Sequence, residues 1–328
     1  MSLVKILKWI FPWFDTSSSI HPNNSERKVD WIRILPFLGM QLACVGVIWV
    51  GVSPVVVLVA LGLFWLRVFA ITGFYHRYFS HKTFKTSRAA QFVFALLGMT
   101  AVQRGPLWWA AHHRNHHRYS DQPQDVHSPT QFGFWWSQIG WITDRKNFPT
   151  QMNLVPDLAR YPELVFLNRF DTLVPILFAV FLFFFGQFLQ GVRPEWGTSG
   201  AQMLIWGFFI STTLLFHATG TINSLSHRFG RQRFKTGDDS RNNVWLALLT
   251  FGEGWHNNHH QYPATVRQGF YWWEIDVTFY LLKFLSWLGI IWDLKPVPKW
   301  VYKEAQCPAQ NSETPKVFPH IPALELGK

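Results

Sequence analysis

Residues 34–75 read ILPFLGMQLACVGVIWVGVSPVVVLVALGLFWLRVFAITGFY, and Arg67 is their only charged residue. A helix that crosses a bilayer needs about 20 apolar residues, so this stretch is about twice the required length. Pro54 lies near its middle, directly after Gly-Val-Ser, and predicts a very short turn between two helices. The stretch therefore predicts a helical hairpin with membrane spans at about 34–51 and 55–74.

Two further uncharged stretches follow, at 172–192 and 196–226. They predict spans at about 172–191 and 201–220, which makes four in all and an all-α integral membrane protein. The apolar stretches at 89–103 and 270–292 are too short or too charged to cross. We expect them to form helices that lie on the membrane or under a cytosolic cap.

The composition supports a membrane protein and excludes several other classes. Of the 328 residues 48% are hydrophobic, 18% aromatic and 15% charged, against about 25% charged in soluble domains. The 30 Lys and Arg and 19 Asp and Glu give a net charge of +11. Such a chain is neither disordered nor collagen-like, and it predicts no nucleic-acid partner. Two cysteines exclude a disulfide framework and a cysteine-rich metal site.

Positive charge indicates the orientation. Lys and Arg are concentrated before residue 34, between 76 and 170, and after 227, whereas the turn near Ser53 has none. Because positive segments remain cytosolic, both termini and the two long polar segments are predicted to face the cytosol. We divide the chain into a cytosolic segment at 1–33 with an interfacial amphipathic helix, a membrane domain at 34–295 and a polar tail at 296–328.

Histidine is concentrated near the predicted cytosolic ends of the spans. Two HxxHH motifs place three histidines each on one helical face, His76 and His81 follow the second span, and His227 follows the fourth. Nine imidazoles exceed what one ion accepts, so the sequence predicts two metal ions; imidazole suits iron, zinc, copper or nickel. The candidate ligands are His76, His81, His113, His116, His117, His227, His256, His259 and His260.

These motifs carry a family resemblance. HRYFSH at 76–81, HRNHH at 113–117 and HNNHH at 256–260, in this order and with four apolar spans, resemble the integral-membrane fatty-acyl desaturases of the stearoyl-CoA Δ9 type, in a bacterial form. The resemblance covers approximately residues 40–295. It extends to Trp109-Ala110, Asp125-Val-His127-Ser-Pro, Gly140-Trp141, Asn223-Ser-Leu-Ser-His227 and Gly252-Glu-Gly254.

The resemblance implies four membrane helices under a cytosolic helical cap with a di-iron centre. The nine histidines would be the iron ligands, Asn223 would reach one iron through a water, and no catalytic residue is expected beyond the ligands. It implies that a cis double bond, at Δ9, is introduced into a long-chain acyl substrate with O₂ as co-substrate. A separate electron carrier and reductase would supply electrons, in a bacterial plasma membrane with the active site cytoplasmic.

The carrier of the acyl chain is less defined. Ala111 and His112 replace an Arg-Asp pair of the animal acyl-CoA enzymes, and Gly220 replaces an aromatic residue. Arg145-Lys146 matches a basic pair that meets CoA phosphates, so acyl-CoA is favoured over acyl carrier protein or a membrane lipid. His127 is predicted to act behind the ligands or at the substrate headgroup.

Two other functions remain open at this point. A membrane di-iron hydroxylase or ketolase would use the same histidines. A metal transporter or other non-enzymatic metal-binding membrane protein is a more distant alternative, because it would place ligands and acidic partners within the spans.

Overall fold

The computed structural model describes residues 11, 13–18 and 29–306. The chain divides into two compact units, residues 1–297 and residues 298–328. Among the described residues, the regular secondary structure of the first unit is almost all helical, with long connecting segments such as 225–243 and 262–276. In the second unit, the described helix is Lys299–Gln306. The predicted tail from residue 307 onward and most of the predicted interfacial helix at 3–14 lie outside the described residues.

The first two helices form the predicted hairpin. Helix α1 runs over Leu35–Val50 with a 3₁₀ turn at Cys44–Gly46, and α2 runs over Pro54–Ser80. Gly51 turns the chain with φ 67°, a left-handed conformation that glycine adopts without strain. Ser53 then caps α2 by accepting a hydrogen bond from the Val56 N–H, and Pro54 takes the first helical position, where no donor is required.

Helix α2 changes its winding before the first histidine motif. Residues Ala70–Ser80 form a π-helix, and the His81 N–H donates to the His76 carbonyl. Side chains five residues apart diverge by about 140° around an α-helix, whereas the wider π turn brings them to the same side. This local change directs His76 and His81 toward the same site.

The remaining helices follow in chain order. They are α3 (Arg88–Met99), α4 (Pro106–Tyr119), α5 (Pro129–Phe132), α6 (Phe134–Gln138), α7 (Pro156–Ala159), α8 (Pro162–Arg169), α9 (Leu173–Val192), α10 (Gly200–Ser224), α11 (Val244–Leu249), α12 (His256–Gln261), α13 (Val277–Trp287) and α14 (Lys299–Gln306). Short 3₁₀ turns occur at Thr16–Ser18, Gly140–Thr143, Arg145–Asn147, Met152–Leu154 and Pro194–Trp196. Strands β1 (Lys85–Thr86) and β2 (Ile291–Trp292) form a small antiparallel pair, a feature that the all-α prediction did not include.

Within the described residues, three helices are long and apolar enough to cross a membrane, namely α2, α9 and α10. They begin and end within a few residues of the predicted spans, except that α2 continues to Ser80. Helix α1, at the first predicted span, is apolar but shorter, as are α3 and α13. A fourth crossing, a cytosolic cap and the three-part domain division therefore stay predictions.

The one charged residue of the opening stretch is buried between helices. The Arg67 side chain is 1% exposed, and its guanidinium donates to the Thr212 and Ser211 hydroxyls of α10 and to the Thr100 carbonyl after α3. Because buried charges require hydrogen-bond partners, this set fixes α2 against α10 and the end of α3.

Candidate metal centre and acyl cavity

The structure brings all nine predicted histidines together in two neighbouring groups. The end of α2 supplies His76 and His81, helix α4 supplies the first HxxHH motif, the segment after α10 supplies His227, and α12 supplies the second motif. The five-histidine group is His76, His81, His113, His117 and His259; the four-histidine group is His116, His227, His256 and His260. In each group the candidate ligand atoms lie within 4.8 Å of one another.

Each HxxHH motif contributes to both groups. The first and third histidines of the α4 motif, His113 and His117, belong to the five-histidine group, and His116 belongs to the other. In α12 the division is reversed, with His259 in the five-histidine group and His256 and His260 in the four-histidine group. The two helices therefore lie between the groups and tie them together, a division that spacing alone did not assign.

The distances between Nε2 atoms match the edges of a metal coordination shell. Two nitrogens about 2.1 Å from one ion and at right angles to each other lie about 3.0 Å apart. The Nε2–Nε2 distances are 2.9 Å for His76–His259, 2.9 Å for His259–His117, 3.0 Å for His117–His113, 2.8 Å for His113–His81, 3.0 Å for His227–His256 and 3.3 Å for His116–His260.

Carboxylates orient four of the histidine rings through contacts with Nδ1, while Nε2 faces the site. The Nδ1 atoms of His116, His227 and His260 each lie 2.8 Å from a carboxylate oxygen, of Asp125, Asp121 and Asp238 respectively. The Nδ1 of His76 contacts Glu253. A carboxylate that accepts from Nδ1 fixes the tautomer with the Nε2 lone pair directed into the site, which is the form that binds a metal.

This arrangement fits a cation. In their neutral forms His116 and His260 both donate through Nδ1, so their Nε2 atoms face each other as two lone pairs 3.3 Å apart. Two such lone pairs repel. A proton between two nitrogens would remove the repulsion for that pair alone. A metal ion, by contrast, binds the lone pairs of all four nitrogens of the group at once. The donor set of both groups therefore fits metal ions.

The charge states of five of the nine rings agree with this chemistry, whereas at His116 burial is outweighed by the charge of Asp125, which raises the pKa. Burial, reinforced by neighbouring imidazoles, lowers the pKa well below its ordinary value for His81, His113, His117, His256 and His259. These rings are therefore neutral near pH 7 and present lone pairs. Burial alone would raise the pKa of Asp121, but the hydrogen bond and charge of His227 outweigh it and lower that pKa to about 2.

A cavity of about 290 Å³ lies beside the five-histidine group, and His113 and Asn223 form part of its wall. Further wall residues include Trp13, Thr16, Arg33, Met40, Val102, Arg104, Trp108, Trp109, His127, Gln138, Trp141, Phe148, Phe216 and Gly220. The wall is mainly apolar and aromatic, as in pockets for apolar ligands. Trp108 and Trp109 line the cavity, whereas Trp135 is exposed and Trp136 does not line it.

The other predicted site residues lie around the cavity and the histidines. Asn223 is half-buried in the wall. The His127 ring packs 4.6 Å from that of His116, with its Nδ1 3.4 Å from Asp125, and it also lines the cavity. Arg145 is exposed and Lys146 half-buried. His112, which the motif comparison left out of the ligand set, contacts the Asn147 carbonyl at 3.0 Å through Nε2.

Sequence reasoning missed the carboxylates as partners of the histidines. Asp125 and Glu253 lie in motifs that carry the family resemblance, but the sequence analysis gave them no role at the site. Asp121 and Asp238 were not among the candidate site residues. One available signal was the spacing of Asp121 and Asp125, which directly follow the α4 motif. Asp238 gave no signal, because its contact with His260 spans 22 positions and depends on the tertiary fold.

The fold and the site define a helical protein with three apolar helices of membrane-spanning length and buried histidine groups that can hold metal. A family model for fatty acid desaturases matches residues 49–288. Acyl-CoA 5-desaturase AL21 of Anemone leveillei is 35% identical over 299 residues, which is 88% of each chain. The chain therefore belongs to the fatty acid desaturase family, which confirms the family predicted from its motifs.

Two further relatives show the range within the family. The sn-1 stearoyl-lipid 9-desaturase of Anabaena variabilis is 33% identical over 279 residues, 84% of this chain and 97% of its own. Hex-5-enoyl-(acyl-carrier protein) acetylenase of Moorena producens is 34% identical over 281 residues, 82% of this chain and 86% of its own. The names of these relatives cover different positions along the acyl chain and different acyl carriers.

Proposed function

We propose that this protein is an O₂-dependent di-iron desaturase that introduces a cis double bond, at Δ9, into a saturated long-chain acyl group carried by CoA. The observation that carries the proposal is the apolar cavity whose wall includes His113 of the five-histidine group. A saturated chain has no polar group near the reacting carbons, so its position relative to the histidines must be set by the shape of such a cavity.

The nine histidines are the proposed ligands of two irons, one in each group, with Asn223 beside them. When bound, two irons supply the oxidising power to remove two hydrogens from unactivated carbons, using O₂, two electrons and two protons and releasing two waters. The chain's own residues do the rest. Neutral imidazoles bind the ions, the carboxylates hold the rings, and the walls at Val102 and Trp109 exclude water and orient the chain.

The proposed topology has four crossings, with α1 as a short first span, and a cytosolic cap that carries the histidines. The distribution of Lys and Arg supports cytosolic termini and a cytosolic active site, and we place the protein in a bacterial plasma membrane. Electrons come from a separate carrier and reductase. Membership in a desaturase family favours an enzyme over a metal transporter.

Two observations support CoA as the carrier. The Arg145–Asn147 turn lies between the cavity residues Ile142 and Phe148, and Arg33 packs its guanidinium 4.9 Å from the Phe148 ring. Positive groups thus lie beside the cavity, and guanidinium and ammonium groups suit phosphates. The relatives named for lipid and acyl-carrier-protein substrates make those two carriers the alternatives to be tested.

The decisive experiment is expression in a desaturase-deficient host, followed by mass spectrometry of the fatty acids. We expect a new cis alkene at Δ9 without added oxygen, and none with His116→Ala. A hydroxy or keto product would instead support a hydroxylase or ketolase.

Purified protein with an electron donor should then be offered stearoyl-CoA, stearoyl-acyl carrier protein and stearoyl lipid. Turnover of the CoA ester is expected, and the double variant Arg145→Glu/Lys146→Glu should raise its KM. Lys235→Glu, an exposed basic residue that does not line the cavity, is the matched control. An unchanged KM in the double variant would refute the role of the basic pair.

A further inference from the structure

The carboxylates behind the histidines are divided unequally between the two groups. In the four-histidine group three of four rings have an aspartate at Nδ1. In the five-histidine group one ring, His76, has a carboxylate partner. Among the described residues no carboxylate is hydrogen-bonded to the Nδ1 atoms of the other four rings. The Nδ1 atoms of His259 in this group and of His256 in the four-histidine group are both buried without a hydrogen-bond partner among the described residues.

The three aspartates are themselves held in place. Asp238 accepts hydrogen bonds through Oδ1 from the hydroxyls of Thr236 and Ser240, which leaves Oδ2 for His260. Asp125 accepts from the N–H groups of Asp121 and His127 while Oδ2 meets His116. These additional donors fix each carboxylate in the position that its histidine requires.

Asp121 shows the same pattern in an unusual backbone conformation. It accepts from the Ser128 hydroxyl and the Asp239 N–H while contacting His227. Its φ is 59°, a left-handed value that is rare outside glycine and is tolerated best by Asn and Asp. The turn after α4 is therefore shaped to present this carboxylate.

The two groups also differ in exposure. All four rings of the four-histidine group are buried, whereas His81, His113 and His117 of the five-histidine group are half-buried. His113 in addition borders the cavity. Exchange of an ion with the surroundings is therefore easier at the five-histidine group.

We propose that Asp121, Asp125 and Asp238 are positioning residues that make the four-histidine group the tighter ion site, so that it fills first and empties last. The proposal rests on the proposed di-metal function. An imidazole that donates to a carboxylate is a stronger ligand, and losing such a partner weakens metal binding by about 10- to 100-fold. The additional imidazole of the five-histidine group acts in the opposite direction. It is one neutral ligand, however, whereas the four-histidine group has three charge-assisted hydrogen bonds to carboxylates against one in the five-histidine group.

The order of filling can be tested in the unmodified chain. The full-length protein, purified in detergent and stripped with a chelator, is titrated with Fe²⁺ without oxygen by equilibrium dialysis. We expect two ions with two distinct affinities. His256→Ala, which changes only the four-histidine group, should remove the tight phase, and His81→Ala should remove the weak phase. Loss of the tight phase in His81→Ala would overturn the proposal whether or not any aspartate variant folds.

The role of the aspartates needs a second comparison. Asp238→Asn keeps an acceptor but loses the charge, and Asp238→Ala loses both, so the tight affinity should fall progressively, by about 10- to 100-fold in the alanine variant, with the weak affinity unchanged. Glu253→Gln should weaken only the weak phase. Asp144→Asn alters a buried carboxylate that contacts no histidine of the described part of the chain and should change neither affinity.

The outcomes separate the two proposals. If Asp238→Ala binds both ions with normal affinity, the positioning role is wrong while the di-metal function stands. If the unmodified protein binds fewer than two Fe²⁺, the proposed di-iron function itself fails. If the protein binds two ions in the expected order but produces no alkene, this inference stands and the proposed desaturase activity is wrong.

Discussion

At the scale of single residues, Arg77 connects the histidines to the rest of the fold. Its side chain is 1% exposed and pairs with Glu253 at 3.2 Å and Asp276 at 2.9 Å, and it donates to the Val266 carbonyl at 2.7 Å. Glu253 in turn contacts His76. One guanidinium thus compensates two buried carboxylates, one of which orients a candidate ligand.

Replacing Arg77 with Met should therefore be strongly destabilising. It leaves Glu253 and Asp276 buried without their cation, a change that costs about 3–5 kcal/mol. Denaturant unfolding of the stripped protein in detergent measures the difference. Arg88→Met, which removes an exposed pair with Glu163, is the control and should leave stability almost unchanged. An equal effect of the two variants would contradict the argument.

The sequence indicated which histidines come together, but not which carboxylates contact them. Six of the nine histidines belong to the two HxxHH motifs, whose spacings of three and four positions reflect local helical geometry. The division of the histidines into two groups could not be predicted, because it depends on how α4 and α12 face each other. The pairing of Asp238 with His260 likewise depends on the tertiary fold, so no local pattern reveals it.

At the scale of elements, close packing of α3 against α2 holds the π-helical segment Ala70–Ser80 in place. Gly98 of α3 lies against Tyr75, and a Cβ at this glycine would be 2.0 Å from a carbon of the tyrosine ring. That ring cannot move aside easily, since Tyr75 is fully buried and its hydroxyl donates to the Arg104 carbonyl at 3.1 Å. The position next to His76 therefore requires a glycine on the facing helix.

Gly98→Ala should consequently destabilise the protein by about 1–3 kcal/mol, the usual effect of overpacking. Gly62→Ala is the matched control, because that helical glycine has no neighbour within 4 Å of the added Cβ and alanine is the better helix former by about 0.5–1 kcal/mol. Unfolding of both variants in the same detergent provides the measurement. Equal stability of the two would show that the α2–α3 contact is looser than described.

The elements themselves were largely predictable. Long apolar runs gave α2, α9 and α10, because the length of such a run is read directly from the chain, and Pro54 gave the hairpin turn. The π-helical winding of Ala70–Ser80 was not predicted, since it follows from packing around His76 and His81 rather than from composition. Helix α1 covers the predicted span at 34–51 to within one residue at each end, but it is shorter than the three helices of membrane-spanning length.

At the scale of the whole molecule, the histidine groups join parts of the chain that are far apart in sequence, from His76 to His260. Ions bound there would link α2, α4, α12 and the segment after α10. A ligand that binds only the folded state stabilises it by about 2.7 kcal/mol at 100 times its dissociation constant.

Iron should therefore raise the thermal unfolding temperature, and a chelator should lower it by several degrees. Scans at increasing Fe²⁺ under anaerobic conditions measure the shift, and the double variant His81→Ala/His256→Ala should show a much smaller one. Identical unfolding temperatures with and without chelator in the unmodified protein would argue against both ion sites.

The cavity wall has a further consequence for how such enzymes diversify. Part of the wall comes from Trp13, Thr16, Arg33 and Met40, and the described residues of this region contribute no histidine to either group. Mutations accumulating near the start of the chain can thus change which acyl groups fit while the oxidation chemistry is inherited intact. Part of the cavity wall is thus encoded apart from the histidine motifs, so related proteins with identical motifs are free to differ in the acyl groups that they accept.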